Sequence, residues 1–498
     1  MNKHASHHAC PDAYPADAAA AADSPGRRAF LRRSGQLALT GTALPFALNL
    51  AAMGEAAAFD ASDYKALVCV FLYGGNDYAN TVVTYDDASY NSYATIRGGS
   101  GQAGGGIAIA KSALAPTLLT PTTPLADGRQ YALNPAMTAL AGLFNSGKAA
   151  VQLNVGPLVV PLTRAQYGSA DRRTYPLPPK LFSHNDQQSV WQSSAGEGAT
   201  VGWGGRIGDL ALSSNGASTF TCISATGNAV FLSGQSALPY QVGTSGAVAV
   251  NAIKSNVFGM AAVQGTLSTL LQQSRGHVLE NEYNKVTARS VAAEVQVSAA
   301  IGGSSTLTTT FPTGNGLADQ LKVVARLIAA RGALGTRRQV FFVSMGGFDL
   351  HGDLMTQHPV VLGKVSEAMA AFYNATVEMG LADKVTAFTA SDFGRTLASN
   401  GSGSDHGWGS HHFMVGGAVR GKAFYGTAPT VSIGNSATLP ADQSHVGQGR
   451  LLPTTSVDQY AATLARWFGV ADGELNGILP NLSHFGSASY PRDLGFMA

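Results

Sequence analysis

Apolar residues fall along this chain in two spacings, and from residue 317 onward the two alternate. Residues 66–72 (ALVCVFL) form a continuous apolar run with no polar alternation, the pattern of a strand buried on both faces of a sheet. Residues 149–155, 339–344 and 385–389 read as further strands. Elsewhere the spacing becomes helical. Leu317, Leu321, Val324 and Ile328 share one face while Asp319, Lys322 and Arg326 fall away from it, which predicts an amphipathic helix over 317–331. Leu362, Val365, Met369, Phe372, Thr376 and Met379 line one side of another helix; 137–145 reads as a short one, and 278–300 runs without a breaker. This succession predicts an α/β fold with a mostly parallel central sheet flanked by helices. Residues 202–250 are poor in charge and rich in Gly, Ser and Thr. They read as an irregular, β-prone insertion spanning about 200–255.

Composition changes this picture little. Of 498 residues, 45% are hydrophobic and 12% charged, which suits a large packed core and excludes a disordered chain. A net charge of +2 gives no reason to expect nucleic acid or an anionic membrane as partner. The three cysteines, Cys10, Cys69 and Cys222, are too few for a disulfide framework. Cys69 lies in an apolar strand as a core residue, and no Cys69–Cys222 bridge is expected.

The first 58 residues have their own pattern. GRRAFLRR at 26–33, a moderately apolar stretch over 37–52 and Ala56-Ala57-Ala58 match a twin-arginine export signal, with cleavage expected after Ala58. Thr40, Thr42, Pro45 and Asn49 interrupt a run already short for a bilayer, and no second stretch is long enough to span one. The expectation is a single domain over 59–498 in the periplasm or outside the cell. Its partner during export is the twin-arginine translocase, which carries folded proteins.

The candidate chemistry gathers at strand ends. Asp77 follows the first strand, Asp349 and His351 follow the strand at 339–344, and Asp392 follows the strand at 385–389. Parallel strands bring their carboxyl ends to one edge of the sheet, where open α/β folds place ligands. The glycine-rich stretch 391–417 adds Arg395, Asp405, His406, His411 and His412. Carboxylate and imidazole together suit divalent ions such as zinc, manganese or iron. Each residue also has a plainer reading. Asp77 reads equally as a turn residue or helix cap, and Ser183 as a helix cap or as a nucleophile at that helix's positive end. Arg395 reads as a bidentate substrate contact or an internal ion pair, and His184 as a partner of Ser183 or a structural histidine.

The segments LVCVFLYGGNDYANTVV, SMGGFDLHGD, SDFGRT, SDHGWGSHHFMVGG and SHNDQQSVWQ, with the leader, resemble DUF1501, a family of twin-arginine-exported bacterial proteins. The resemblance covers nearly all of the mature chain, and the family is itself similar to the alkaline phosphatase and sulfatase superfamily. It implies an alkaline phosphatase-like domain with one or two divalent ions, whether zinc, manganese, calcium or magnesium. Asp77 and Asp392 would hold one ion; Asp349, His351 and His406 the other. Ser183 would be the nucleophile, with Ser189 behind it. The superfamily's Asp-His dipeptide is Asp392-Phe393 here, so an imidazole must come from His411 or His412, or else the second metal is absent. The Asp349–His351 spacing is shorter than the phosphatase pattern, leaving His358 as a substitute. No sulfatase-type cysteine signature is present. The implied function is an exported metal-dependent hydrolase of phosphate or sulfate esters, acting on a small molecule or polymer. The alternative is a non-catalytic exported assembly or binding protein with an exported protein partner.

Overall fold

The computed structural model describes residues 59–98, 106–255, 259–303 and 307–498; the stretch 1–58, read above as an export signal, lies outside the described residues. The strands that matter below are β1 (Lys65–Leu72), β2 (Ala149–Gly156), β3 (Cys222–Ser224), β4 (Arg338–Met345), β5 (Val385–Ser391), β6 (Ser404–His406) and β7 (Ser410–Gly416). The helices are α1 (Thr138–Asn145), α2 (His184–Ser193), α3 (Trp203–Ala211), α4 (Val278–Gly303), α5 (Gly316–Ala329), α6 (Leu354–Glu378) and α7 (Val457–Phe468).

Strand β1 is buried on both faces because its alternate side chains enter different apolar layers. Ala66, Val68, Val70 and Leu72 pack with residues of α1, α5 and α6. Leu67, Cys69 and Phe71 pack with residues of α3 and α7. That arrangement requires an unbroken apolar run, since a polar residue at either parity would lie in a core. The sheet has ten strands, with the central order β2-β7-β5-β1-β4-β3. β1 is parallel to both β4 and β5, and β3 is parallel to β4. β7 runs antiparallel to both β2 and β5. The fold is thus α/β, with a mostly parallel central sheet between helical layers. Cys69 and Cys222 are buried and free.

The stretch read as an irregular, β-prone insertion does supply short strands, Cys222–Ser224, Tyr240–Gly243 and Gly246–Ala247, and it packs into this framework. Trp203–Ala211 forms α3 in the core, and Cys222–Ser224 joins the main sheet as β3. Its glycines misled because they mark close packing: a Cβ at Gly204, Gly205 or Gly208 would strike Phe231, Ser233 or the Cys222 sulfur.

The register aligns the carboxyl ends of β5, β1 and β4, with Leu72 opposite both Met345 and Ser391. Two glycines then draw the following loops together. Gly74 (φ +117°) has no room for a Cβ, which would stand 2.4 Å from the Asp349 nitrogen; at Gly75 (φ +79°) it would stand 2.4 Å from the Phe393 ring. The loops that carry the candidate chemistry therefore pack against one another.

Candidate metal centre

Four side chains converge at this sheet edge from three parts of the chain. Asp349 and His351 come from the loop after β4, His406 closes the short strand β6, and His184 is the first residue of α2. His406 Nε2 lies 3.1 Å from His184 Nε2, 3.0 Å from His351 Nε2 and 3.3 Å from Asp349 Oδ1. His351 Nε2 lies 3.1 Å from Asp349 Oδ1, and His184 Nε2 lies 3.5 Å from Asp349 Oδ2. His184, Asp349 and His406 meet the spacing for joint coordination of an ion.

The groups behind these imidazoles fix what they present. His184 Nδ1–H donates to Asp392 Oδ2 (2.6 Å), His406 Nδ1–H to the Phe182 carbonyl (2.8 Å), and His351 Nδ1–H to Asp405 Oδ1 (3.2 Å). With Nδ1 so engaged, each ring turns its Nε2 toward the others, and a carboxylate completes the group. A cation placed among these atoms would satisfy their lone pairs. The ligand atoms of His184, Asp349 and His406 all lie within 4.8 Å of one another, a range that an ion bound at about 2.0–2.2 Å can bridge, and His351 stands beside His406 and Asp349. Outer hydrogen bonds from the far ring nitrogen are what orient metal-binding histidines. The residues present therefore fit one divalent ion.

Asp392 serves this arrangement from behind. It is fully buried, accepting also from Gln188 Nε2 (2.8 Å) and the Gly74 N–H (3.2 Å). The hydrogen bond to Asp392 holds the His184 pKa above its ordinary value, while burial holds that of His406 below. Burial alone would raise the Asp349 pKa, but the Arg395 hydrogen bond and charge outweigh it and keep the carboxyl ionised. The Phe393 ring packs against His184 and His406, with centroids 4.8 and 4.7 Å away. Phenylalanine after Asp392 thus buttresses two imidazoles where the resembled pattern has a third.

Several expected ligands lie elsewhere. Asp77 caps the one-turn helix Tyr78–Thr81 by accepting from the Asn80 N–H (2.9 Å), and it also pairs with buried Arg97 (3.0 Å) and Ser404 Oγ (2.6 Å). Burial would raise its pKa, but the Arg97 charge overrides that and keeps it low. Asp77 therefore has no oxygen turned to the imidazoles. His412 is buried between Trp191 and Tyr460 and meets Thr389; burial pushes its pKa down to about 3. His411 accepts from the Asn154 N–H and is likewise pushed down to about 3. His358 sits under the loop against Asn76, pushed down by burial to about 4. All three are core residues.

Arg395 is corrected too. Its side chain is fully buried, donating to the carbonyls of Gly74, Gly75 and Ser404 and to the Asp349 carboxylate. It clamps the loops together and offers no face to a substrate. Ser183 precedes His184 at the start of α2 but does not cap it: its Oγ–H donates to Asp186 Oδ2 (2.9 Å). Ser189 donates to the Gly196 carbonyl and takes no part.

The sequence reading gathered Asp405 with the candidate chemistry without giving it a role, and it missed Gln188 and the Phe182 carbonyl as supports. One signal was available, since Asp405-His406 is itself an Asp-His dipeptide. A main-chain carbonyl leaves no mark in a sequence.

Comparison with solved structures finds distant likenesses. A lipoteichoic acid synthase from Listeria monocytogenes matches with TM-score 0.28 and 9% identity over 72% of this chain, which spans 66%, just under two thirds, of that protein. An alkaline phosphatase from the Antarctic bacterium TAB5 matches with TM-score 0.27 and 9% identity, covering 73% of this chain and 94% of the phosphatase. No curated protein matches by sequence. The profile of the family described as "Protein of unknown function (DUF1501)" matches residues 64–479, and the chain belongs to that family.

Proposed function

We propose that this protein is an exported, metal-dependent hydrolase of phosphate or sulfate esters. The observation that carries the reading is the convergence of three Nε2 atoms and the Asp349 carboxylate, with every Nδ1 held by an acceptor. The ester class rests on the resemblance of the chain's motifs to the phosphatase and sulfatase superfamily. A divalent ion bound there supplies Lewis acidity and offsets the charge of a phosphoryl or sulfuryl group. The chain's own residues do the rest. The start of α2 places its partial positive charge beside the cluster and favours an anion there. Ser183 stands at that same helix start, with Asp186 in place to accept its proton as Oγ bonds to phosphorus or sulfur, the ester P–O or S–O bond breaks and the alcohol leaves with a proton from water. His184, His351 and Asp349 keep a quarter to a half of their side-chain surface exposed, so substrate reaches them without an opening motion.

The full chain tests this. Purified without chelator, it should hold about one divalent ion and turn over an aryl phosphate or aryl sulfate. H406A should lose both properties. S183A should keep the ion and lose more than about 100-fold in rate. Full turnover in H406A, or no ester cleaved by metal-loaded protein, overturns the reading. Arg395 favours the second reading, a non-catalytic exported assembly or binding protein, because the arginine expected on substrate is committed to backbone carbonyls. Under that reading the inert, metal-loaded protein co-purifies with an exported partner. Export itself rests on Arg27 and Arg28: changing both to Lys should leave the chain in the cytoplasm.

A further inference from the structure

With Arg395 buried, the cluster needs another cation if it is to hold a substrate oxyanion, and Arg450 meets the requirement. It projects from a tight turn in which the Arg450 N–H bonds the Gly447 carbonyl and its own carbonyl accepts from Val446, both at 2.9 Å. The turn is fixed from outside as well: Ala398 N–H bonds the Gln448 carbonyl (3.1 Å) and Tyr78 O–H bonds the Gly449 carbonyl (2.9 Å). The half-buried side chain then follows the backbone of the site. Arg450 Nε–H donates to the His406 carbonyl (2.7 Å), and the guanidinium lies over the Phe182 ring, 5.3 Å from its centroid. Phe182 is the residue whose carbonyl holds His406 Nδ1, and it adopts φ +74° to do so. A left-handed conformation is costly for a phenylalanine and accompanies functional positions.

Two groups on Arg450 remain. Among the described residues, Nη1 and Nη2 have no protein acceptor, and neither is a sealed-off polar atom. The guanidinium is thus held through Nε and its stacked face, while its paired Nη edge makes no hydrogen bond, although its charge also acts on the Asp405 carboxylate. That edge matches the spacing of two oxygens on a tetrahedral anion. Resting on the hydrolase reading above, we propose that Arg450 is the oxyanion-binding arginine of this site. Its Nη groups take two oxygens of the phosphate or sulfate monoester held at the imidazole cluster.

Titration of the metal-loaded full chain with inorganic phosphate, and separately with inorganic sulfate, tests this. Metal content and thermal unfolding are measured on each sample. R450M should keep its metal and its fold and bind the preferred anion about 10–100-fold more weakly. R450K, which keeps the charge without the fork, should fall between R450M and wild type. Whichever anion shows the larger loss identifies the ester class. R450M affinity within about twofold of wild type overturns the proposal, as does a metal-loaded wild type that binds neither anion. Loss of metal in both variants overturns it as well, because Arg450 would then serve only to hold His406. A wild type that takes up no divalent ion instead overturns the hydrolase reading, and the clamp with it.

Discussion

At the scale of single residues, Asp392 sets what the candidate metal centre presents without facing it. Its Oδ2 accepts from His184 and Gln188, and its Oδ1 from the Gly74 N–H. In D392N the backbone N–H keeps the remaining oxygen, so the new amide NH₂ faces His184 Nδ1. The ring must then move its proton to Nε2 and lose the lone pair it offered. The fold should survive while metal affinity falls about 10–100-fold, read by competition with a chelator of known affinity. Asp77 gives the opposite result. Arg97 is fully buried beside it, and two of its nitrogens already lack partners. D77A should destabilise the protein by about 3–5 kcal/mol in denaturant unfolding, because a buried charge loses its partner. Metal content per folded chain should stay at the wild-type level. The sequence showed which acids stand at strand ends but not which one an internal arginine would claim. It was equally silent on His411 and His412. Neighbours on a strand point to opposite faces, and both faces of β7 are covered, so neither ring reaches the edge.

At the scale of elements, legibility followed burial. β1, β4 and β5 were readable because two-sided burial demands a continuous apolar run, and α5 because a helix on one sheet face must show a 3.6-residue stripe. The hairpin that carries His406 was not, since Arg395–Ser399 and Ser404–His406 are short, polar and held by contacts with other loops. Helix α7 supports a prediction of its own. Asp458 lies in its first turn, where the helix dipole favours a carboxylate, yet burial wins and pushes the pKa up to about 6. The unfolded chain titrates near the ordinary 3.8. Because the folded state holds the proton more tightly, this contribution is complete below about pH 4 and is lost as the pH rises through about 6. D458N should therefore be more stable than wild type at pH 7, by on the order of 2–3 kcal/mol. The advantage should vanish at pH 4. Unfolding curves at the two pH values check it, and a constant difference would refute the assignment.

At the scale of the whole molecule, residues 59–498 form one compact unit, and the candidate metal centre draws on parts of it that are remote in sequence. His184 comes from a helix start, Asp349 and His351 from the loop after a central strand, and His406 from an outlying hairpin. None of these segments holds the four donors in place without the others, so an ion bound by all of them is bound by the folded chain and released on unfolding. Binding of that kind stabilises by RT ln(1 + [L]/Kd), about 2.7 kcal/mol when free ion is 100-fold above Kd. For a domain this large the gain amounts to a rise of a few degrees in melting temperature. Chelation should lower the melting temperature by that amount, and returning zinc or manganese should restore it. H406A separates this from a general salt effect. With one imidazole gone its melting temperature should resemble that of the chelated wild type and respond to neither treatment. If metal-containing wild type instead melts at the same temperature before and after chelation, the ion lies outside the His184, His351, His406 and Asp349 cluster. The ester-holding role of Arg450 would then fall with the metal site it rests on, leaving its guanidinium as a brace between the His406 carbonyl and the Phe182 ring.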